Sequence, residues 1–232
     1  MTSIVPSILA ADFDRLGEAL DVVQALGLPA IHIDVMDGHF QPHISVGQPV
    51  VRSIRKATKL KLDVHLMIER PERYIEDFIS AGADYVAFHP EATHDVTFGI
   101  SSARKRGVKV GLALGPATPV ERCYEILEDL DYVLVQSGTV DTRTEGSKQR
   151  SIDKVAALAK VRETRGLNLA IEAEGGIGVG EARELLHAGA DILVVGSAIF
   201  DKQDRGEVMR AFVRELGRDT GTFGQKMNSR VH

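Results

Sequence analysis

A single cysteine, Cys123, in 232 residues rules out an intrachain disulfide framework. It also fits a reducing compartment, so a cytoplasmic location is expected. An excess of positive charge is missing as well, since 28 basic residues stand against 33 acidic ones for a net charge of -5. No chain-wide basic field therefore exists to hold a nucleic acid or an anionic membrane surface, and any anionic ligand has to be caught by a local site. Long apolar runs are absent. Met1 to Pro6 lacks the basic segment and apolar stretch of an export signal, so neither export nor membrane insertion is expected. No Gly-x-Gly-x-x-Gly turn follows the first apolar run, which argues against an open dinucleotide-binding sheet.

What is present belongs to an ordinary globular protein, with 44% hydrophobic and 26% charged residues and a length that suits one domain. Eight short apolar, β-branched runs recur at residues 4–9, 31–35, 60–66, 85–88, 108–114, 132–135, 169–173 and 192–195. Each gap has room for a helix and two loops. Helical spacing shows in Val155, Leu158, Ala159 and Arg162, and again between Glu181 and His187. Gly82 and Gly189, in the similar segments Ala81 to Asp84 and Ala188 to Asp191, suit left-handed helix stops and hint at repeated half-units. Strands alternating with helices predict a parallel sheet of βαβ units, and eight of them predict an α/β fold closed into a (β/α)8 TIM barrel. The barrel is expected over residues 1–216, with a polar tail over 217–232.

Alternate strand residues share a face, so His32, Asp34 and Met36 point one way on the second strand. Asp63, His65 and Met67 do so on the third, and Glu172 and Glu174 on the seventh. In a barrel that face is interior, and the C-terminal strand ends are where such enzymes place their active sites. Carboxylates gathered there are costly to desolvate unless a positive group joins them, and two histidines with two carboxylates are a suitable shell for a divalent ion. The plainer alternative is that some of these histidines are core residues satisfied by backbone hydrogen bonds. Gly175-Gly176-Ile177-Gly178 after the seventh strand and Gly196-Ser197 after the eighth stand where barrels cradle phosphate, although glycine also serves simple turns there.

Pro6-Ser7-Ile8-Leu9-Ala10-Ala11-Asp12-Phe13, His32-Ile33-Asp34-Val35-Met36-Asp37-Gly38-His39-Phe40, Leu62-Asp63-Val64-His65-Leu66-Met67 and Gly196-Ser197-Ala198-Ile199-Phe200 resemble ribulose-phosphate 3-epimerases. The likeness runs from Ile4 to Asp201. It implies a phosphate-binding barrel, a divalent metal of the zinc type (iron, manganese or cobalt being alternatives) and inversion at C3 of a ketopentose 5-phosphate. A homo-oligomer acting on a small sugar phosphate is expected with it. By position the resemblance implies His32, Asp34 and His65 as metal ligands, with Glu174 completing the set and Asp34 and Glu174 as the proton-transfer pair. It implies substrate contacts from Ser7, His65, Met36, Met67, Gln136, Gly176, Gly196 and Ser197.

Two departures stand out. The family's Glu-Val-Asp-Gly-Gly after strand seven is here Glu172-Ala173-Glu174-Gly175-Gly176, and the extra methylene can shift the carboxylate by about an ångström. The family's glycine-rich phosphate loop after strand six becomes Ser137-Gly138-Thr139-Val140-Asp141-Thr142-Arg143-Thr144-Glu145, and its third methionine becomes Gln136. Arg143, Lys148 or Arg150 is then a candidate distal grip for a phosphate or carboxylate, against the simpler expectation of a solvated loop. Two other functions stay open: the same chemistry on a different ketose, and a non-catalytic sugar-phosphate-binding relative.

Overall fold

The computed structural model describes residues 3–138, 146–200 and, beyond these, 207, 210–212 and 214. Eight strands form one parallel sheet: β1 (Ser3–Pro6), β2 (Ala30–Met36), β3 (Lys61–Met67), β4 (Tyr85–Phe88), β5 (Lys109–Leu114), β6 (Tyr132–Gln136), β7 (Ala170–Glu174) and β8 (Ile192–Val195). Their order is β1-β8-β7-β6-β5-β4-β3-β2, and a parallel bridge between Ser7 and His32 joins the two ends. The predicted (β/α)8 TIM barrel is therefore the observed architecture. The expected tail at 217–232 and the candidate grip Arg143 lie outside the described residues.

Helices α1 (Leu16–Ala25), α2 (Gln48–Ala57), α3 (Ile75–Ala81) and α4 (Val96–Lys105) follow the first four strands. Helices α5 (Ser147–Arg165), α6 (Val179–Ala188) and the short α7 (Ser197–Phe200) follow the last three. Outward-facing strand residues such as Ile31, Ile33, Leu62 and Val64 are fully buried beneath the helices. This is why the strands read as near-continuous apolar runs. Gly82 and Gly189 do end α3 and α6 in the left-handed region, at φ 115° and 112°.

Two details differ from expectation. The first strand stops at Pro6 instead of residue 9, because Ser7 turns the chain into a 3-10 segment, Ile8–Ala10, and accepts the Leu9 N–H. Between β5 and β6 no α-helix forms. The crossing is made by 3-10 turns at Val120–Cys123 and Leu127–Asp129.

A recurring device stands at the bottom of the barrel, before three strands and not only at the two segments that suggested half-units. Asp84, Asp131 and Asp191, each just before an even-numbered strand, accept the backbone N–H of Leu62, Val110 and Ile171 at 3.0 Å. Each also holds a basic side chain: Arg55 and Lys61, Lys109, and Arg162 respectively. These clips tie neighbouring strands at the face remote from the chemistry, leaving the C-terminal mouth to function.

Candidate active site and metal centre

Strand register lays the interior side chains in tiers. His32 pairs with Asp63, Asp34 with His65, Met36 with Met67 and Gln136 with Glu174. The lowest interior tier is packed by Tyr85, Tyr132 and alanines, so the polar side chains above stand on a closed floor. At the mouth, His32, Asp34, His65 and Glu174 each bring a ligand atom within 4.8 Å of the others, and all four are buried. They arrive from β2, β3 and β7, the strands on which period-two alternation placed them.

The donor atoms that point at the common centre are the ones left unmatched. His32 Nε2 and His65 Nδ1 are buried without a hydrogen-bond partner among the described residues. His32 Nε2 lies 3.3 Å from Asp34 Oδ1 and 3.1 Å from Glu174 Oε2. His65 Nδ1 lies 3.5 Å from Asp34 Oδ1 and 3.1 Å from Glu174 Oε1. The far sides of His32 and Asp34 are held. His32 Nδ1 donates to Asp63 Oδ2 at 2.7 Å, and Tyr132 donates to Asp63 Oδ1 at 3.1 Å. Ser7 donates to Asp34 Oδ2 at 2.6 Å, leaving Oδ1 free to face the histidines. Imidazoles with outer nitrogens committed and inner ones open, plus two carboxylates, fit a four-coordinate divalent ion. The extra methylene of Glu174 has not taken its carboxylate out of reach.

Without an ion the site balances its own charges. Burial opposes a charged His65, but Glu174 and Asp34 outweigh it and raise its pKa to about 9. The same contest, won by Asp34 and Asp63, raises that of His32 well above its ordinary value. Burial likewise opposes a charged Asp34, yet His32 holds it far below the carboxylate range, and His65 depresses Glu174 in the same way. One tier down, burial and the nearby Asp63 push Glu172 up to about 8, which leaves it a neutral acid at pH 7. Two imidazolium protons thus occupy the charge position that a divalent ion would take.

Above the cluster opens a cavity of about 430 Å³. Of the residues expected at the substrate, Ser7, Met36, Met67, Gln136, Gly176, Gly196 and Ser197 all line it, beside Asp34 and Glu174. His32 and His65 lie fully buried beneath. Lys148 is not brought to this site: it is half-exposed on α5 and pairs with Glu184 at 2.7 Å. Gln136 is 2% exposed, donates to Met67 Sδ at 3.1 Å and leaves its Oε1 unpartnered.

The family model described as "Ribulose-phosphate 3 epimerase family" matches residues 3–200. The chain belongs to that family. Relatives named ribulose-phosphate 3-epimerase include those of Treponema pallidum (strain Nichols), 44% identical over 85% of this chain and 91% of that one, and Bacillus subtilis (strain 168), 41% identical over 88% and 95%. The Escherichia coli (strain K12) protein of the same name is 36% identical over 93% and 96%. As a ribulose-phosphate 3-epimerase family member the chain is an isomerase-class enzyme, an epimerase. The barrel is shared more widely: 3-hexulose-6-phosphate synthase from Salmonella typhimurium superposes with a TM-score of 0.69 at 20% identity, covering 93% of this chain and 98% of that one. That likeness concerns the fold alone. No helix among the described residues is long and apolar enough to cross a membrane.

His89 and Glu91 escaped the sequence reading, although a signal existed. Continuing the alternation Tyr85, Ala87 one step past the apolar run puts His89 on the interior face. His89 is fully buried, its Nε2 2.9 Å from His65 Nε2 and its Nδ1 3.2 Å from Glu91 Oε1. Thr118 donates to the same Glu91 oxygen at 2.6 Å.

Proposed function

We propose that the chain inverts C3 of a ketopentose 5-phosphate, interconverting ribulose 5-phosphate and xylulose 5-phosphate, with Asp34 and Glu174 as the acid/base pair. The observation that carries this reading is the buried four-residue cluster whose two open imidazole nitrogens face two carboxylates beneath a cavity. His32, Asp34, His65 and Glu174 would hold a divalent ion, zinc being the first candidate from the donor set. When bound, such an ion supplies Lewis-acid stabilisation of the negative charge that develops on the substrate's adjacent oxygens.

The chain's own residues do the rest. A proton on carbon beside a ketone becomes removable because the resulting enediolate spreads its charge over two oxygens. Asp34, steadied by Ser7, accepts that proton from one face of the carbon. Glu174, carried on a strand three places around the barrel from β2, delivers a proton from the other face, and the roles exchange with reaction direction. Met36 and Met67 line the cavity with apolar surface that limits water at the enediolate. The backbone at Gly176, Gly196 and Ser197 supports a phosphate position on the β7–β8 side of the cavity. A cytoplasmic home is part of this reading.

The unpartnered Oε1 of Gln136 favours a second reading, in which the preferred ketose carries a hydroxyl that this oxygen accepts. Offering pentulose, hexulose and tetrulose phosphates and their unphosphorylated forms in D₂O tests both. Deuterium incorporation with inversion fastest on ribulose 5-phosphate supports the first, fastest turnover of another ketose supports the second, and no exchange on any ketose defeats both.

A further inference from the structure

Each histidine of the cluster has a different nitrogen turned inward, and what fixes that choice for His65 lies outside the cluster. His65 presents Nδ1 to Asp34 and Glu174, which leaves Nε2 to face His89 Nε2 at 2.9 Å. Two imidazole nitrogens at that distance need one hydrogen between them. A His65 that gives its Nδ1 lone pair to an ion carries its proton on Nε2, so His89 Nε2 must be the acceptor. A neutral His89 that accepts through Nε2 carries its own proton on Nδ1. That atom meets Glu91 Oε1 at 3.2 Å, an acceptor that also takes the Thr118 hydroxyl. With an ion on His65 Nδ1, every proton in the chain is thereby assigned, in a single consistent arrangement. The His65 and His89 rings lie 5.0 Å apart at 30°, and the Phe40 ring covers His89 at 4.7 Å. His89 is fully buried, so water is a poor substitute for any member of this chain except Glu91, which reaches the surface.

We propose that His89 and Glu91 are positioning residues, forming a one-directional relay from His65 Nε2–H to His89 and from His89 Nδ1–H to Glu91 that holds His65 as an Nδ1 ligand. The relay rests on the metal-site reading given above, and it supplies for His65 what Asp63 supplies for His32. Outer partners of this kind are worth about 10–100-fold in metal affinity.

Side-chain amides distinguish a directional relay from mere packing. His89→Gln sets an amide oxygen where Nε2 was, whereas His89→Asn sets its amide at the Nδ1 position, too short to reach His65. Zinc affinity is measured by chelator competition on folded wild-type and variant protein. The relay predicts a loss of about 10–100-fold for His89→Asn and retention within a few-fold for His89→Gln. Equal affinities for wild type and both variants, or equal losses in the two variants, overturn it. Nitrogen-15 NMR of the wild-type imidazoles in zinc-loaded protein gives an answer that does not depend on variant folding. Here His89 is expected neutral with its proton on Nδ1, and a proton on Nε2 overturns the relay. Wild-type protein that binds no zinc defeats the metal reading and the relay with it, whereas zinc bound with the His89 proton on Nε2 defeats the relay alone.

Discussion

Glu174→Gln tests proton transfer, with bound metal measured beside it to separate that role from the others of the cluster. Glutamine keeps the length of the side chain and one of the two oxygens with which the carboxylate approaches His32 (Oε2) and His65 (Oε1) at 3.1 Å each. It can neither take up nor return a proton at the pH of the assay. A positioned acid or base contributes roughly 10²–10⁴-fold to such a step, equivalent to about 3–5 kcal/mol of barrier, so inversion should slow by that factor. Asp34 on the other face is untouched, with Ser7 still holding its Oδ2 at 2.6 Å. The two epimers should therefore behave differently in D₂O. The one whose C3 proton faces Asp34 exchanges with solvent without inverting, and the other becomes inert. Proton NMR on each epimer separately, with bound metal measured in the same samples, reads both effects. Inversion within tenfold of the parent refutes the acid/base assignment. Equal loss of exchange from both epimers together with lost metal reduces Glu174 to a ligand.

Three further outcomes follow from the same geometry. For metal-free protein, His65 rises from 6.5 in the unfolded chain to about 9 when folded, so its contribution is full below pH 6.5 and lost as pH climbs through 9. Tm of the metal-free enzyme should fall across that window and that of the zinc-loaded enzyme should not, and a flat metal-free profile contradicts the charge balance. Gly175→Ala puts a Cβ at φ 108°, 2.3 Å from Ser137 Oγ and 2.5 Å from the Gly138 carbonyl. Left-handed strain and overpacking together cost about 2–5 kcal/mol, and a Tm lowered by less than about 2 °C would contradict that contact. Gln136→Met removes a buried unpartnered acceptor and should stabilise the fold by about 1–3 kcal/mol while raising KM for the preferred ketose, whereas a destabilised variant with unchanged KM sinks the role given to Oε1.

Period-two alternation made the strands and the central cluster legible in advance, because a barrel interior is the single place where His32, Asp34, His65 and Glu174 can all point. It worked least well where the third dimension decides. Asp63 and Glu172 share faces with the cluster residues, yet that Asp63 accepts from His32 on β2 and Tyr132 on β6, while burial and the nearby Asp63 raise the pKa of Glu172, depends on neighbours that only the closed barrel brings together. His89 lay one residue beyond an apolar run, and its partner Glu91 follows it in the loop. The 3-10 crossing between β5 and β6 was hidden by the regularity of the spacing, which left every gap room for a helix. Lys148, proposed from charge alone, is drawn to Glu184 on a neighbouring helix, which no local pattern announces.

The most direct test of the account is turnover of ribulose 5-phosphate by protein stripped of metal and then given one equivalent of Zn²⁺. The account predicts that the stripped enzyme is inactive, that one equivalent restores xylulose 5-phosphate formation, and that deuterium from D₂O enters at C3 as it forms. Full epimerase activity without metal, or restored metal binding with no inversion of any ketose phosphate, would contradict it.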